Sequence, residues 1–161
     1  MSRSGYSDDG AESAEEQWAH IRWRGAVNSA LRGKRGQAFL RELIEVLDAM
    51  PVKELHADLF VDDDPEATTC RVCAMGAVWK ARGLPTDESM RYVDPDDWEA
   101  FEQTEAFGEQ LGIAPAMARE IASINDDPYG CYSPRQRYEA VRRWAICELR
   151  GDLPSNGNLG S

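Results

Sequence analysis

Apolar residues recur at helical spacing between residues 36 and 50 more clearly than anywhere else in the chain. They occupy positions i, i+1, i+4, i+5 and i+8 of one stretch, namely Phe39, Leu40, Leu43, Ile44 and Leu47. This spacing is typical of a helix with one face toward the core. Pro51 ends the pattern, because proline disfavours the helical conformation of the residue before it. The pattern therefore predicts a helix over 36–49 with Leu43 and Leu47 in the core.

Weaker patterns on either side of this segment predict further elements. One helix runs from about Glu15 to a glycine cap at Gly33, so that it meets the 36–49 helix across a tight turn as an antiparallel helical hairpin. A compact helix of small residues is predicted at 73–81. Between these helices, residues 53–60 and 68–72 have mixed character and are compatible with a small β-hairpin.

The second half of the chain contains a clear signal for a helix start. Asp94 is a favoured capping residue, and Pro95 follows it at the first helical position. The apolar pattern then places Trp98 and Phe101 on the inward face. The pattern loosens at 103–106, which predicts a bend or a break in this helix.

Two more helices complete the prediction. Pro115 starts one of them, and Ser133 with Gln136 has the spacing of a capping box that starts the last one. The last helix should run to about Leu149.

Composition divides the chain into one domain and two tails. Residues 1–14 combine Ser, Gly, Asp and Glu without periodicity, which predicts a disordered acidic tail. Residues 151–161 are rich in Gly, Ser and Asn and predict a flexible tail. Residues 15–150 are enough to bury a core without disulfides or metal. We expect a mostly α fold, a single compact multi-helix domain with at most a small β-hairpin.

The net charge narrows the choice of partners and compartment. The 161 residues carry a formal charge of −11 with a pI near 4.6, so nucleic acid and anionic membranes repel the protein as a whole. No apolar run is long enough to span a bilayer, and the N-terminus lacks the apolar core of a signal peptide. These features predict a cytoplasmic protein without membrane partners, whose cysteines stay reduced.

Charge is also segregated along the chain. Residues 17–41 hold no acid and six basic residues, here called the basic segment: Arg22, Arg24, Arg32, Lys34, Arg35 and Arg41. Residues 84–110 hold nine acids and one arginine. Five of these acids, here called the acidic pole, are the predicted partner-binding residues: Asp96, Glu99, Glu102, Glu105 and Glu109. The two stretches either neutralise each other, face water or dock a partner.

The cysteines offer a candidate for metal chemistry. Cys70 and Cys73 have the spacing of half a zinc site or of a redox pair, but a second such pair is missing. A four-ligand site that adds Cys131 and one histidine is geometrically possible. A small buried Cys73 at a helix start is the simpler interpretation, since free cysteine is among the most buried residue types. We expect no metal and no cofactor, and no catalytic constellation is visible. Cys70 and Cys73 stay the alternative metal ligands.

Four blocks of the sequence follow one another in the same order as in a known protein family. They are WRGAVNSALRGKRGQAFLRELIEVLDAMP, CAMGAVWKARG, LGIAPAMAREIASINDD and SPRQRYEAVRRW. In these blocks the chain resembles a family of small uncharacterised proteins of tailed bacteriophages and prophages, over roughly Trp23 to Trp144. The RGKRGQAFL stretch is the most specific part. The resemblance implies a helical protein in the cytoplasm of a bacterial host, and it transfers no catalytic residue.

Together these observations favour a non-enzymatic protein-binding factor of phage origin. Segregated charge favours steered docking, and the five tryptophans leave Trp18 or Trp79 as interface anchors. An inhibitor of a host defence or nucleic-acid-handling protein fits, with the acidic pole in the place of phosphates. Two alternatives stay open: a nucleic-acid-binding accessory protein that uses the basic segment 22–41, and a self-assembling structural protein such as a homodimer.

Overall fold

Six α-helices and a two-stranded antiparallel sheet make up the part of the chain that a computed structural model describes, residues 3–127, 130 and 132–150. The helices are α1 Arg3–Arg32, α2 Lys34–Ala49, α3 Ala74–Ala81, α4 Glu99–Leu111, α5 Pro115–Asn125 and α6 Pro134–Glu148. The strands are β1 Val61–Asp62 and β2 Arg71–Val72, and a 3₁₀ helix spans Glu88–Met90. This architecture confirms the predicted mostly helical class with a small hairpin.

Two helices organise the packing. α2 lies against α1, α3 and α6, while α5 lies against α1, α3, α4 and α6. α2 buries most of the predicted stripe, and Leu43 and Leu47 are confirmed as fully buried core residues. Each of the other four helices contacts α2, α5 or both. No helix among the described residues is both long and apolar enough to cross a membrane.

The turn between α1 and α2 is as tight as predicted, since only Gly33 separates the two helices. Gly36, in the first turn of α2, lies directly against the backbone of α1. A Cβ atom at this position would overlap the carbonyl oxygen of Ala30. The absence of a side chain therefore allows the two helix backbones to meet.

The first helix is longer than predicted. The sequence predicts its start near Glu15, but α1 begins at Arg3. The segment contains no proline, and extending an existing helix costs less than starting one. The residues from Ala14 to Arg22 are all exposed, whereas Val27 and Leu31 enter the core. Residues 1–2 and 151–161 of the predicted tails lie outside the described part of the chain.

The hairpin forms later in the chain than its first predicted strand. Val61 pairs with Val72, and Asp62 with Arg71, so the prediction of a strand at 53–60 is wrong. Asp58 has a left-handed backbone with φ of 65°, which interrupts an extended strand. The amides in this segment instead bond to distant carbonyls, such as that of Leu55 to the oxygen of Pro134 at 3.0 Å.

The predicted helix of small residues is confirmed as α3, which is almost entirely buried. Gly76 lies so close to the hairpin that a Cβ would overlap the carbonyl oxygen of Phe60. The Phe107 ring lies between two others, with centroids 4.2 Å from Phe60 and 4.1 Å from Trp79. Trp79 is only 3% exposed and donates its indole N–H to the oxygen of Pro85 at 2.8 Å. The prediction of Trp79 as an interface anchor is therefore wrong.

The last three helices match the sequence signals unevenly. Pro115 starts α5 and the Ser133–Gln136 capping box starts α6, as predicted. α4, however, begins at Glu99 rather than just after Asp94, and it continues without the predicted break. Two aspartate turns precede it and delay the helix start, because aspartate side chains bond readily to nearby backbone amides.

Candidate functional site

The acidic pole lies on α4 and on the two turns before it. Asp94 accepts a hydrogen bond from the amide of Asp96 at 2.9 Å, and Asp97 accepts one from the amide of Glu99 at 3.0 Å. The helix then continues regularly to Leu111. The two turns thus fix the backbone at Asp96 and at the start of α4, which carries the other four acids of the acidic pole.

Four of the five acidic-pole residues are open to solvent: Asp96, Glu99, Glu102 and Glu109. Glu105 is half-buried, and its Oε2 lies 3.7 Å from Nη1 of Arg119 on α5. Because α4 is unbroken, Glu102, Glu105 and Glu109 share one face of the helix, as the spacing predicts. A partner can therefore reach four carboxylates, while the fifth helps to join α4 to α5.

Two large aromatic side chains of the same segment are also exposed. Trp98 is 65% exposed and Phe101 is 54% exposed, so the prediction that both face inward is wrong. The late start of α4 makes Trp98 its N-cap residue, and the buried face of the helix begins only at Thr104. We call the exposed surface of Asp96, Trp98, Glu99, Phe101 and Glu102 the α4 face.

Arg119 holds the Phe101 ring against the body of the protein. Its guanidinium carbon lies 4.7 Å from the centre of the Phe101 ring and 4.4 Å from that of Trp23 on α1. These distances are those of cation–π contacts. The same guanidinium reaches Glu105, so it joins α1, α4 and α5 beneath the α4 face.

The basic segment occupies the second half of α1 and the first half of α2. Its exposed members are Arg22, Arg32, Lys34 and Arg35, while Arg24 and Arg41 are half-buried. Arg24 Nη1 lies 2.9 Å from Glu120 Oε1 on α5. The ion pairs of Arg24 and of Glu105 thus both end on α5, and neither of them joins the basic segment to the acidic pole.

The two cysteines of the alternative metal site differ in environment. Cys73 is buried and caps α3, where its sulfur accepts a hydrogen bond from the Gly76 amide at 3.3 Å. Burial raises the pKa of the Cys73 thiol to about 12, which disfavours the thiolate that a metal requires. Cys70 is exposed. Among the described residues, which do not include Cys131, no group of three or more acidic, histidine or cysteine side chains could hold a metal ion.

Asn125, predicted only as part of a loop, is a buried connector. Its Oδ1 accepts a hydrogen bond from the Ala74 amide at 2.9 Å, and its Nδ2 donates to the oxygen of His56 at 3.0 Å and to Asp126 Oδ1 at 2.7 Å. It therefore joins the end of α5 to the start of α3 and to the 53–60 segment. The Asn-Asp-Asp run was its only signal in the sequence.

A cavity of about 480 Å³ is lined by Asp126, the residue after Asn125, and by further charged groups that no sequence pattern indicated. Burial raises the pKa of the Asp126 carboxyl, and the nearby charge of Asp58 adds to the rise. Arg137 lines the same cavity and donates to the backbone oxygens of Asn125 and Tyr132. Since this cation is bound to backbone carbonyls, the arrangement is best explained as an internal charge network.

Comparisons with protein-family models, with curated proteins and with solved structures found no match for this chain. The resemblance to a phage protein family stays a prediction made from the sequence blocks.

Proposed function

We propose that this chain is a non-enzymatic protein-binding factor of a phage or prophage, which docks a protein of the bacterial host through the α4 face. The observation that carries the proposal is the exposure of Trp98 and Phe101 on a segment that also exposes Asp96, Glu99 and Glu102. Exposed aromatic residues rimmed by polar groups mark interaction sites. Tryptophan is also enriched among the residues that contribute most to binding.

The aromatic residues of the α4 face are suited to be anchors. Aromatic side chains supply a large contact area for little conformational entropy. Phe101 is also restrained by the guanidinium of Arg119, so its ring is already ordered before a partner arrives. Docking would remove both rings from water and gain about 25 cal/mol for each Å² of apolar surface buried.

The carboxylates of the α4 face define the kind of partner. Complementary charge accelerates association and excludes partners of the wrong sign. A basic surface is therefore the expected counterpart, and proteins that handle nucleic acids carry such surfaces. We propose that the carboxylates take the place of phosphates, so that docking inhibits a host defence or nucleic-acid-handling protein.

A tagged pull-down from host lysate tests this proposal. The bait is the full chain, the variant Trp98→Ala with Phe101→Ala, or the variant Trp18→Ala. The last removes the other tryptophan predicted as an anchor, which is 61% exposed on α1. We expect one host protein to be captured by the wild type and by Trp18→Ala but not by the double variant. Equal capture by the double variant, with its fold checked by circular dichroism, would contradict docking through the α4 face.

Light scattering at low and high salt distinguishes self-assembly from binding to a host protein. A monomer under both conditions agrees with a foreign partner. A salt-sensitive homodimer that Glu99→Lys with Glu102→Lys abolishes would instead place a second copy on the α4 face. The basic segment would then be the expected counterpart, because charge pairs between exposed groups weaken as salt rises.

Nucleic-acid binding is the second candidate, favoured by the surroundings of the first turn of α2. Gly33 caps this helix without a side-chain hydrogen bond, and the exposed cations Arg32, Lys34 and Arg35 flank it. Helix N-termini and clustered cations both favour phosphate. Binding to DNA should fall steeply with salt and with Lys34→Glu plus Arg35→Glu, but not with Arg143→Glu on α6. No binding at low salt would eliminate this candidate.

A further inference from the structure

A groove between α2, α3 and the hairpin has the size of a small-molecule site. Its volume is about 650 Å³, within the range of roughly 300–1,000 Å³ that such sites cover. Its walls are the last turns of α2, the segment 50–56, residues 69–72 and the outer face of α3. None of its lining residues belongs to the α4 face, so it is a separate feature.

The floor of the groove is aliphatic. Its apolar side chains include Val46, Ala49, Met50, Val52, Val72 and Ala77. Val52 is 49% exposed, so part of this surface lies in water rather than in the core. No Phe, Tyr or Trp is among the lining residues. The floor thus offers aliphatic contact to an alkyl chain.

The charges at the edge of the groove do not balance. Glu45 and Glu54 line it and are both exposed. Lys80 is the lining residue that carries a positive side chain, and its Nζ lies 3.6 Å from Asp63 Oδ2 outside the groove. Because Asp63 compensates the charge of Lys80, Lys80 does not neutralise the two glutamates at the edge of the groove.

His56 does not offset this negative charge either. Its Nε2 lies 3.9 Å from Glu54 Oε1. Burial lowers the pKa of His56, and the charge of Arg71 acts in the same direction. Since the ordinary pKa of histidine already lies below neutral pH, this lowering keeps the imidazole uncharged there, and His56 does not compensate the carboxylate of Glu54.

We infer that this groove binds a small amphiphilic cation, a molecule with an alkyl body and an ammonium head. The aliphatic floor would take the alkyl body, and Glu45 and Glu54 would attract the head. Charge complementarity selects this ligand class over fatty acids, which have the same alkyl body and the opposite charge. The inference goes beyond the proposed docking of a host protein and does not depend on it.

Calorimetric titration of the full chain with decyltrimethylammonium and with decanoate tests the charge preference. Both probes are used near neutral pH, at low salt and below their micelle-forming concentrations. We expect the cation to bind about tenfold more tightly than the anion, a difference that the two glutamates should supply. Equal affinities, tighter binding of decanoate or no binding of the cation would overturn the inference.

Substitutions that fill the groove test the position of the ligand. Ala49→Trp and Ala81→Trp both change exposed lining residues, and each should weaken cation binding by at least about tenfold. If circular dichroism shows that one of them has not folded, the other decides. Unchanged affinity in the folded tryptophan variants would show that the cation binds elsewhere.

Neutral substitutions test the role of the two carboxylates. Glu45→Gln with Glu54→Gln should remove most of the preference for the cation while decanoate binding stays the same or rises. Glu109→Gln removes an exposed carboxylate on α4 and is the matched control, which should leave both affinities unchanged. A preference that survives the double substitution would contradict the assignment.

Discussion

The guanidinium of Arg119 lies over the ring of Phe101, with 4.7 Å between its central carbon and the ring centre. Phe101 is more than half exposed, so this contact orders a side chain that the core does not hold. The same arginine contacts Trp23 and lies 3.7 Å from Glu105. The α4 face is therefore built on a cation that ties three helices together.

A double-mutant cycle on Arg119→Ala and Phe101→Ala should reveal this contact as a coupling free energy. We expect about 0.5–1 kcal/mol in the free energy of unfolding, the range of cation–π pairs at exposed sites. Urea denaturation of the wild type, the two single variants and the double variant measures it. The control cycle pairs Arg119→Ala with Trp98→Ala, and Arg119 makes no cation–π contact with Trp98 in the structure. Equal coupling in both cycles would contradict a direct contact.

Gly76→Ala should be strongly destabilising. The added Cβ would overlap the carbonyl oxygen of Phe60, and relieving such an overlap inside a packed core costs about 1–3 kcal/mol or more. Gly25→Ala in α1 is the matched control, because no atom lies within 4 Å of its added Cβ. Gly25→Ala should raise the free energy of unfolding by about 0.5–1 kcal/mol, because alanine has the higher helix propensity. Thermal and urea unfolding measure both, and similar effects of the two variants would contradict the close approach.

Asp126→Asn should stabilise the protein at neutral pH. Burial raises the pKa of this carboxyl above its ordinary value of 3.8, so folding opposes its charged form. Above the folded-state pKa this cost is fully present, and it disappears as the pH falls below 3.8, where both states are protonated. The advantage of the asparagine variant should therefore shrink as the pH is lowered.

Unfolding free energies at neutral pH and near pH 3 measure this trend. The control Asp96→Asn removes an exposed carboxylate and should change the stability by no more than about 0.5 kcal/mol. An asparagine variant at position 126 that is less stable at neutral pH would show that the charged carboxylate is required by the network around Asn125.

Features with partners close in sequence could be predicted. The capping box of α6 forms as expected, with the Ser133 side chain 3.2 Å from the Gln136 amide and the Gln136 oxygen 3.0 Å from the Ser133 amide. The stripe with Leu43 and Leu47 also follows from helical spacing alone. In each case the residues that determine the feature lie within a few helical turns of one another in the sequence.

Features with distant partners could not be predicted. Asn125 bonds to Ala74 and His56, which lie 51 and 69 residues away, and no local pattern indicates either bond. Trp98 and Phe101 lie at the start of α4, where the buried face of the helix has not yet begun. An apolar pattern alone does not fix where a helix starts or whether another element covers its first turn.

The affinity of the purified host partner for Trp98→Ala, measured by calorimetry, tests docking through the α4 face most directly. We expect this variant to bind about 30-fold more weakly than the wild type, as for an anchor that contributes about 2 kcal/mol. Trp18→Ala, which removes an equally exposed tryptophan on α1, should stay within about threefold of the wild type. Wild-type affinity in Trp98→Ala, or a loss found only in Trp18→Ala, would contradict the account.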